Sequence, residues 1–81
     1  MKVTLTPSWI LTTEHASSSY GQPVLVNRGS QEAFGPGDIV KPYPSWGYML
    51  AADAVKRMVK TARSAKARKA AEAFVGMKAM E

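Results

Sequence analysis

An α+β fold is what this sequence predicts: a short antiparallel sheet, built from a β-hairpin and an N-terminal strand, packed on a C-terminal helix or helical hairpin. Three observations lead there. Short apolar runs bounded by Pro, Gly and Asn fill the first half of the chain and read as strands and turns. The last third is rich in Ala, Lys and Arg, with apolar residues at helical spacing. The phase of that spacing inverts near Ser64, which points to two helical segments rather than one. With 81 residues the chain is expected to be one small domain, 1–81, with a strand, short-helix and hairpin part at 1–44 and a basic helical part at 45–81.

Val3 and Leu5 alternate with Lys2, Thr4 and Thr6, the pattern of a half-buried strand that ends at Pro7. Trp9, Ile10 and Leu11 follow as an apolar cluster. Thr12 or Thr13 can then cap a short helix with Glu14 near its positive end, and Gly21 and Pro23 stop it. Ser17, Ser18 and Ser19 weaken that helix. Val24, Leu25 and Val26 form the clearest strand, and Asn27-Arg28-Gly29-Ser30 has the residues of a hairpin tip, with glycine available for positive φ. The return strand is expected over 31–34. Gly35-Pro36-Gly37-Asp38 is a second turn, and Ile39-Val40 a further short strand. Pro42-Tyr43-Pro44 is stiff and extended and leads to Ser45, a candidate N-cap for the final helical region.

At about 100° per residue, Ala51, Ala54, Val55, Met58, Val59, Ala62 and Ala65 share one helix face. Lys56, Arg57, Lys60 and Arg63 lie opposite. Beyond Ser64, the residues Ala67, Ala70, Ala71, Phe74 and Met77 fall roughly 180° from the first apolar stripe. One straight helix cannot bury both stripes against one core. Either the helix breaks near 63–65, with Ser64 capping a second one, or the second stripe meets a different partner, a second copy of the chain included. The break is the favoured expectation. Core candidates are Val3, Leu5, Trp9, Ile10, Val24, Val26, Phe34, Ile39, Leu50, Val55, Met58, Val59 and Phe74.

Composition excludes several functions. The chain has no cysteine and a single histidine, so neither a disulfide framework nor a structural zinc site is expected, and no cofactor or metal is called for. No apolar run nears the roughly 20 residues of a membrane span. The opening MKVTLTPSW lacks the apolar stretch of a signal peptide, so a cytoplasmic protein is expected. His15 with Ser17, Ser18 and Ser19 invites a nucleophile–base pair, but an adjacent Glu14 would point elsewhere on a helix. There is no phosphate-loop motif, and the six acids are spread singly. A non-enzyme is expected.

Charge is the strongest functional signal. Residues 1–48 carry Lys2, Arg28 and Lys41 against Glu14, Glu32 and Asp38, which cancel; the net charge of +5 lies entirely in 49–81. A basic face of Lys56, Arg57, Lys60, Arg63, Lys66, Arg68 and Lys69 fits phosphate contact and salt-dependent binding to nucleic acid. It also fits an acidic protein surface, or simply a solvated face made of good helix formers. Few aromatics interleave with these charges in the sequence, so base stacking is not suggested by it. The alanine-dominated apolar face offers little energy for membrane insertion, and no membrane partner is expected. Tyr43, Trp46 and Tyr48, between and after two prolines, are candidates for an interface anchor or for a plug between hairpin and helix.

Leu11-Thr12-Thr13-Glu14-His15-Ala16 with Tyr20-Gly21 resembles the opening helix and turn of excisionase-type helix-turn-helix domains. A recognition helix should then follow Gly21, where Gln22-Pro23-Val24-Leu25-Val26 is β-rich instead. Trp9-Ile10-Leu11-Thr12-Thr13-Glu14-His15, Tyr20 through Val26, and Phe34-Gly35-Pro36-Gly37-Asp38 together resemble the small orphan proteins of phages and prophages. That resemblance implies an accessory role: a DNA-binding regulator, or a protein that blocks a host complex as anti-CRISPR proteins do. The leading expectation is a small basic binding protein that engages nucleic acid or a nucleoprotein complex through its C-terminal helices. The alternatives are an inhibitor that docks on a protein and ignores free nucleic acid, and a homo-oligomeric structural protein if the helix runs unbroken through Ser64.

Overall fold

Val3 and Leu5 lie in the first strand of a four-stranded antiparallel meander. In the computed structural model, which describes residues 1–62 and 64–79, β1 (Lys2–Thr6) pairs with β2 (Trp9–Thr12). β2 pairs on its other side with β3 (Val24–Asn27), and β3 with β4 (Ala33–Phe34). The register aligns Val3 with Leu11, Leu11 with Leu25, and Leu25 with Phe34, which places these side chains on one face. Thr4, Ile10, Val26 and Ala33 align on the other. The ladder is irregular between Thr4 and Thr6, and the extra residue there, Leu5, joins Val3 in the main core.

By sequence the central strand β2 reads only as an apolar cluster before a helix. Its four residues are all buried, and a strand covered on both faces shows no alternation to read. The helix expected to start at Thr12 or Thr13 is absent. Thr12 ends β2, its hydroxyl accepts from the Glu14 amide at 2.9 Å, and residues 13–22 form turns and bends. The serine run could not hold a helix against this local hydrogen bonding. Tyr20 (φ 54°) and Gly21 (φ 70°) bring the chain back to β3 through the left-handed region. In the next turn Asn27 Oδ1 accepts from the amides of Gly29 and Ser30. The positive φ there falls on Gln31, at 63°, rather than on Gly29, which leaves only Ala33 and Phe34 of the expected return strand.

Ile39 and Val40 form β5, which pairs with β6 (Met49–Leu50) in a separate two-stranded sheet. Alternation turns Val40 inward and leaves Ile39, a core candidate, 59% exposed. β6 runs directly into α1 (Ala51–Val59), whose N-cap is Leu50 and not Ser45. No side chain caps this helix. Its first amides go to backbone carbonyls of the preceding turn: Ala51 N–H to Asp38 O at 2.8 Å, and Ala52 N–H to Pro36 O at 3.1 Å. Since these carbonyls already satisfy donors that a helix start leaves orphaned, a serine cap is not needed. Ser45 sits instead in the turn closed by the Trp46 amide on the Tyr43 carbonyl.

The helix breaks as its two stripes require. α1 ends at Val59, and α2 (Ala65–Ala79) starts after Ser64, whose Oγ accepts from the Ala67 amide at 3.3 Å. Arg63 lies outside the described residues. Ala51, Ala54, Val55 and Met58 from α1, with Ala67, Ala70, Ala71 and Phe74 from α2, join Val3, Leu5, Trp9, Leu11 and Leu25 in one core. The small alanines let both helices approach the sheet closely. Most of both stripes is thus buried within the chain, although Val59 and Met77 are half-buried and Ala65 is exposed, and the unbroken helix that the homo-oligomeric alternative requires is not formed. Phe34, Leu50 and Val59 are half-buried; the other core candidates except Ile39 are buried, although Ile10, Val24 and Val26 face away from the helices.

A loop clasp flanks the outer sheet face. His15 Nδ1 accepts from the Ser17 amide at 3.0 Å, which leaves the ring proton on Nε2 to be donated to the Gln31 carbonyl at 3.1 Å. This ties the 13–22 loop to the β3–β4 turn beside Ile10 and Val26.

Phe74 is fully buried where α2 meets the core. Phe74→Ala is expected to cost about 3–5 kcal/mol, and Ser64→Ala about 1 kcal/mol through loss of the α2 cap. Urea denaturation followed by circular dichroism checks both.

Candidate functional site

The segment 42–46 is fastened to the first hairpin, and this positions its aromatic rings. Trp9 Nε1 donates to the Pro42 carbonyl at 3.1 Å within the core, and the Tyr43 hydroxyl is bonded to Thr6 Oγ1 at 2.6 Å. Pro42 and Pro44 limit the backbone on either side of Tyr43. Gly47 then takes φ 73°, a conformation costly for other residues, and turns the chain into β6.

On this mount Tyr43 and Trp46 meet edge to face, with centroids 4.9 Å apart and planes at 66°. The Arg57 guanidinium lies over the Trp46 ring, its Cζ 4.3 Å from the centroid. Such a contact is worth about 0.5–1 kcal/mol at an exposed site. The three side chains wall a groove of ≈ 630 Å³ that also reaches Thr6, Pro7 and Thr61. Tyr43 and Trp46 are half-buried and Arg57 is exposed. No described carboxylate pairs with Arg57.

The remaining basic residues do not line this groove. Lys56 stands on the α2 side of α1, its Nζ 3.9 Å from Asp53 Oδ1 with both side chains more than half exposed, a pair that contributes little in water. Lys56 and Arg68 flank a second cleft of ≈ 480 Å³ between the helices, floored by Val59, Ala71, Val75 and Gly76, with Glu72 at its edge. Lys60, Lys66 and Lys69 are exposed. Lys66 and Arg68, two residues apart on α2, are separated by roughly 160° around its axis, so they serve different surfaces. Tyr48 belongs to neither groove. It is 75% exposed, lies against Lys41 Nζ at 5.5 Å, and borders a depression shared with Phe34 and Ile39.

The chain matches no family model, no curated protein and no solved structure.

The structure therefore joins two features that the sequence keeps apart. Tyr43 and Trp46 come from a loop and Arg57 from a helix face, and no motif spacing links them. Lys41 and Ile39, beside Tyr48, do not stand out in the sequence as surface residues, because strand alternation over two residues is too short to assign an outward face. A double-mutant cycle on Trp46→Leu and Arg57→Met is expected to give a coupling of about 0.5–1 kcal/mol in urea denaturation. A coupling near zero would mean the stack is absent in solution.

Proposed function

We propose that this is a small non-enzymatic binding protein that engages nucleic acid, or a nucleic-acid-bearing complex, through α1 and α2, as an accessory factor of a phage or mobile element would. The observation that carries this reading is the state of its cations. Arg57, Lys60, Lys66 and Lys69 are exposed and, among the described residues, have no carboxylate partner. Charges left unneutralised on one half of a small protein raise the local potential and attract polyanions. Phosphates that replace condensed counterions then supply affinity without sequence preference. The non-enzymatic part is supported by His15, whose two ring nitrogens are both committed to backbone groups, so neither is free to serve Ser17, Ser18 or Ser19 as a base.

One observation favours a protein partner instead. The apolar floor of the cleft between α1 and α2, rimmed by Lys56 and Arg68, would accept an apolar side chain from an acidic surface, as an inhibitor of a host complex would require.

Fluorescence anisotropy with labelled random-sequence DNA and RNA across a salt series separates the two. Under the nucleic-acid reading, affinity falls steeply with salt. Lys60→Glu with Lys69→Glu then weakens binding tenfold or more, on the order of 1.4 kcal/mol. The salt slope falls by roughly one for each phosphate that is no longer neutralised. Circular dichroism of the variant should be unchanged. Absence of binding at low salt would retire this reading in favour of the protein partner.

A further inference from the structure

Beside the exposed lysines, one cation is set against an aromatic ring. Arg57 lies over the Trp46 ring, its Cζ 4.3 Å from the centroid, and its planar fork of N–H donors can bind an oxyanion in bidentate fashion. No described carboxylate occupies that edge. Lys60, exposed at the C-cap of α1, lies roughly 60° around the helix axis from Arg57, within reach of a neighbouring phosphate. The groove beneath Arg57 has a wall of aromatic rings and is open to solvent, so a strand can pass over it.

We propose that the Tyr43–Trp46–Arg57 groove is a subsite for single-stranded nucleic acid, taking one nucleotide with its phosphate on the Arg57 edge and its base against the aromatic wall. This deepens the nucleic-acid reading above and rests on it. The single strand is selected by chemistry: bases in a duplex are stacked on one another and cannot offer a face to a protein ring, whereas an unpaired base can. The groove is also pre-organised. Tyr43 is held by its bond to Thr6, and its segment by the Trp9–Pro42 bond, so little freedom of that ring is lost on binding. A smooth acidic protein surface would use the charges and leave the ring wall idle.

The test uses the full chain with a labelled oligo(dT) of about thirty nucleotides, a blunt GC-rich duplex of about fifteen base pairs and thus nearly equal charge, and poly-glutamate as competitor, at low salt. The wild type is expected to bind the single strand at least fivefold more tightly than the duplex. Binding should quench tryptophan fluorescence, and the signal is Trp46's because Trp9 is 3% exposed. Arg57→Lys keeps the charge and removes the planar fork. It should weaken the single strand about tenfold, as loss of the bidentate phosphate contact would, and leave duplex binding within twofold. Trp46→Leu should do the same while the fold, checked by circular dichroism, persists. Equal affinity for both nucleic acids, an equal loss for both in Arg57→Lys, or displacement by poly-glutamate as effective as by oligo(dT) would overturn the subsite and leave the helix-surface reading standing. Failure to bind either nucleic acid would overturn both.

Discussion

Two apolar helical stripes, half a turn out of phase, have to share one core. Everything in the C-terminal half depends on that constraint. A continuous helix would expose Ala67, Ala70, Ala71 and Phe74 while burying Val55 and Met58. The chain folds back between Val59 and Ala65 instead, and Ser64 satisfies an amide that the new helix start would otherwise leave open. The consequence for the surface is direct. Once both stripes turn inward, the polar positions between them must turn outward, and in α1 and α2 lysine and arginine fill most of those positions. The inter-helix cleft follows from the same constraint, because alanines fill less of the space between two helices than larger residues would.

The sheet obeys a different rule. Its inner face meets the helices through Leu11 and Leu25, both with no exposed surface. Its outer face keeps Ile10, Val24 and Val26 from water beside two loops pinned together by His15. Strand alternation and the phase inversion make the α+β class legible in the sequence, along with the helix break and the turns at Asn27 and Gly35. What stays illegible has a common cause. β2 is covered on both sides, so its apolar run has no period, and the neighbouring serines, threonine and glutamate read as a capped helix. Likewise, the N-terminus of α1 is satisfied by carbonyls of Asp38 and Pro36, far enough upstream that a loop must close to bring them there, and no local cap signal announces it. Ser45 resembles a cap only on the premise that capping is local.

The candidate site is half legible. Charge asymmetry points to α1 and α2, and the residue types at 43, 46 and 48 point to an aromatic cluster. Their relation comes only with the tertiary structure, because the contact between Trp46 and Arg57 depends on how segment 42–46 is hung from the first hairpin. Tyr48, two residues beyond Trp46, parts from the cluster because Gly47 reverses the chain through a positive φ. The basic positions are likewise not one surface: helix geometry divides Lys66 from Arg68, and Lys56 from the Trp46 side of α1.

The carbonyl cap of α1 also bears on motion. A helix closed by its own side chain can fray at that end without disturbing its neighbours. Here the amides of Ala51 and Ala52 are held by Asp38 and Pro36, so freeing them means detaching the 35–38 turn, and with it the β5–β6 pairing at Ile39 and Leu50. Turn, small sheet and helix start are therefore expected to open together, as one unit. A partner that grips the outer face of α1 would pull on that unit as a whole, and its grip would be felt at Ile39 and Tyr48, on elements it does not touch.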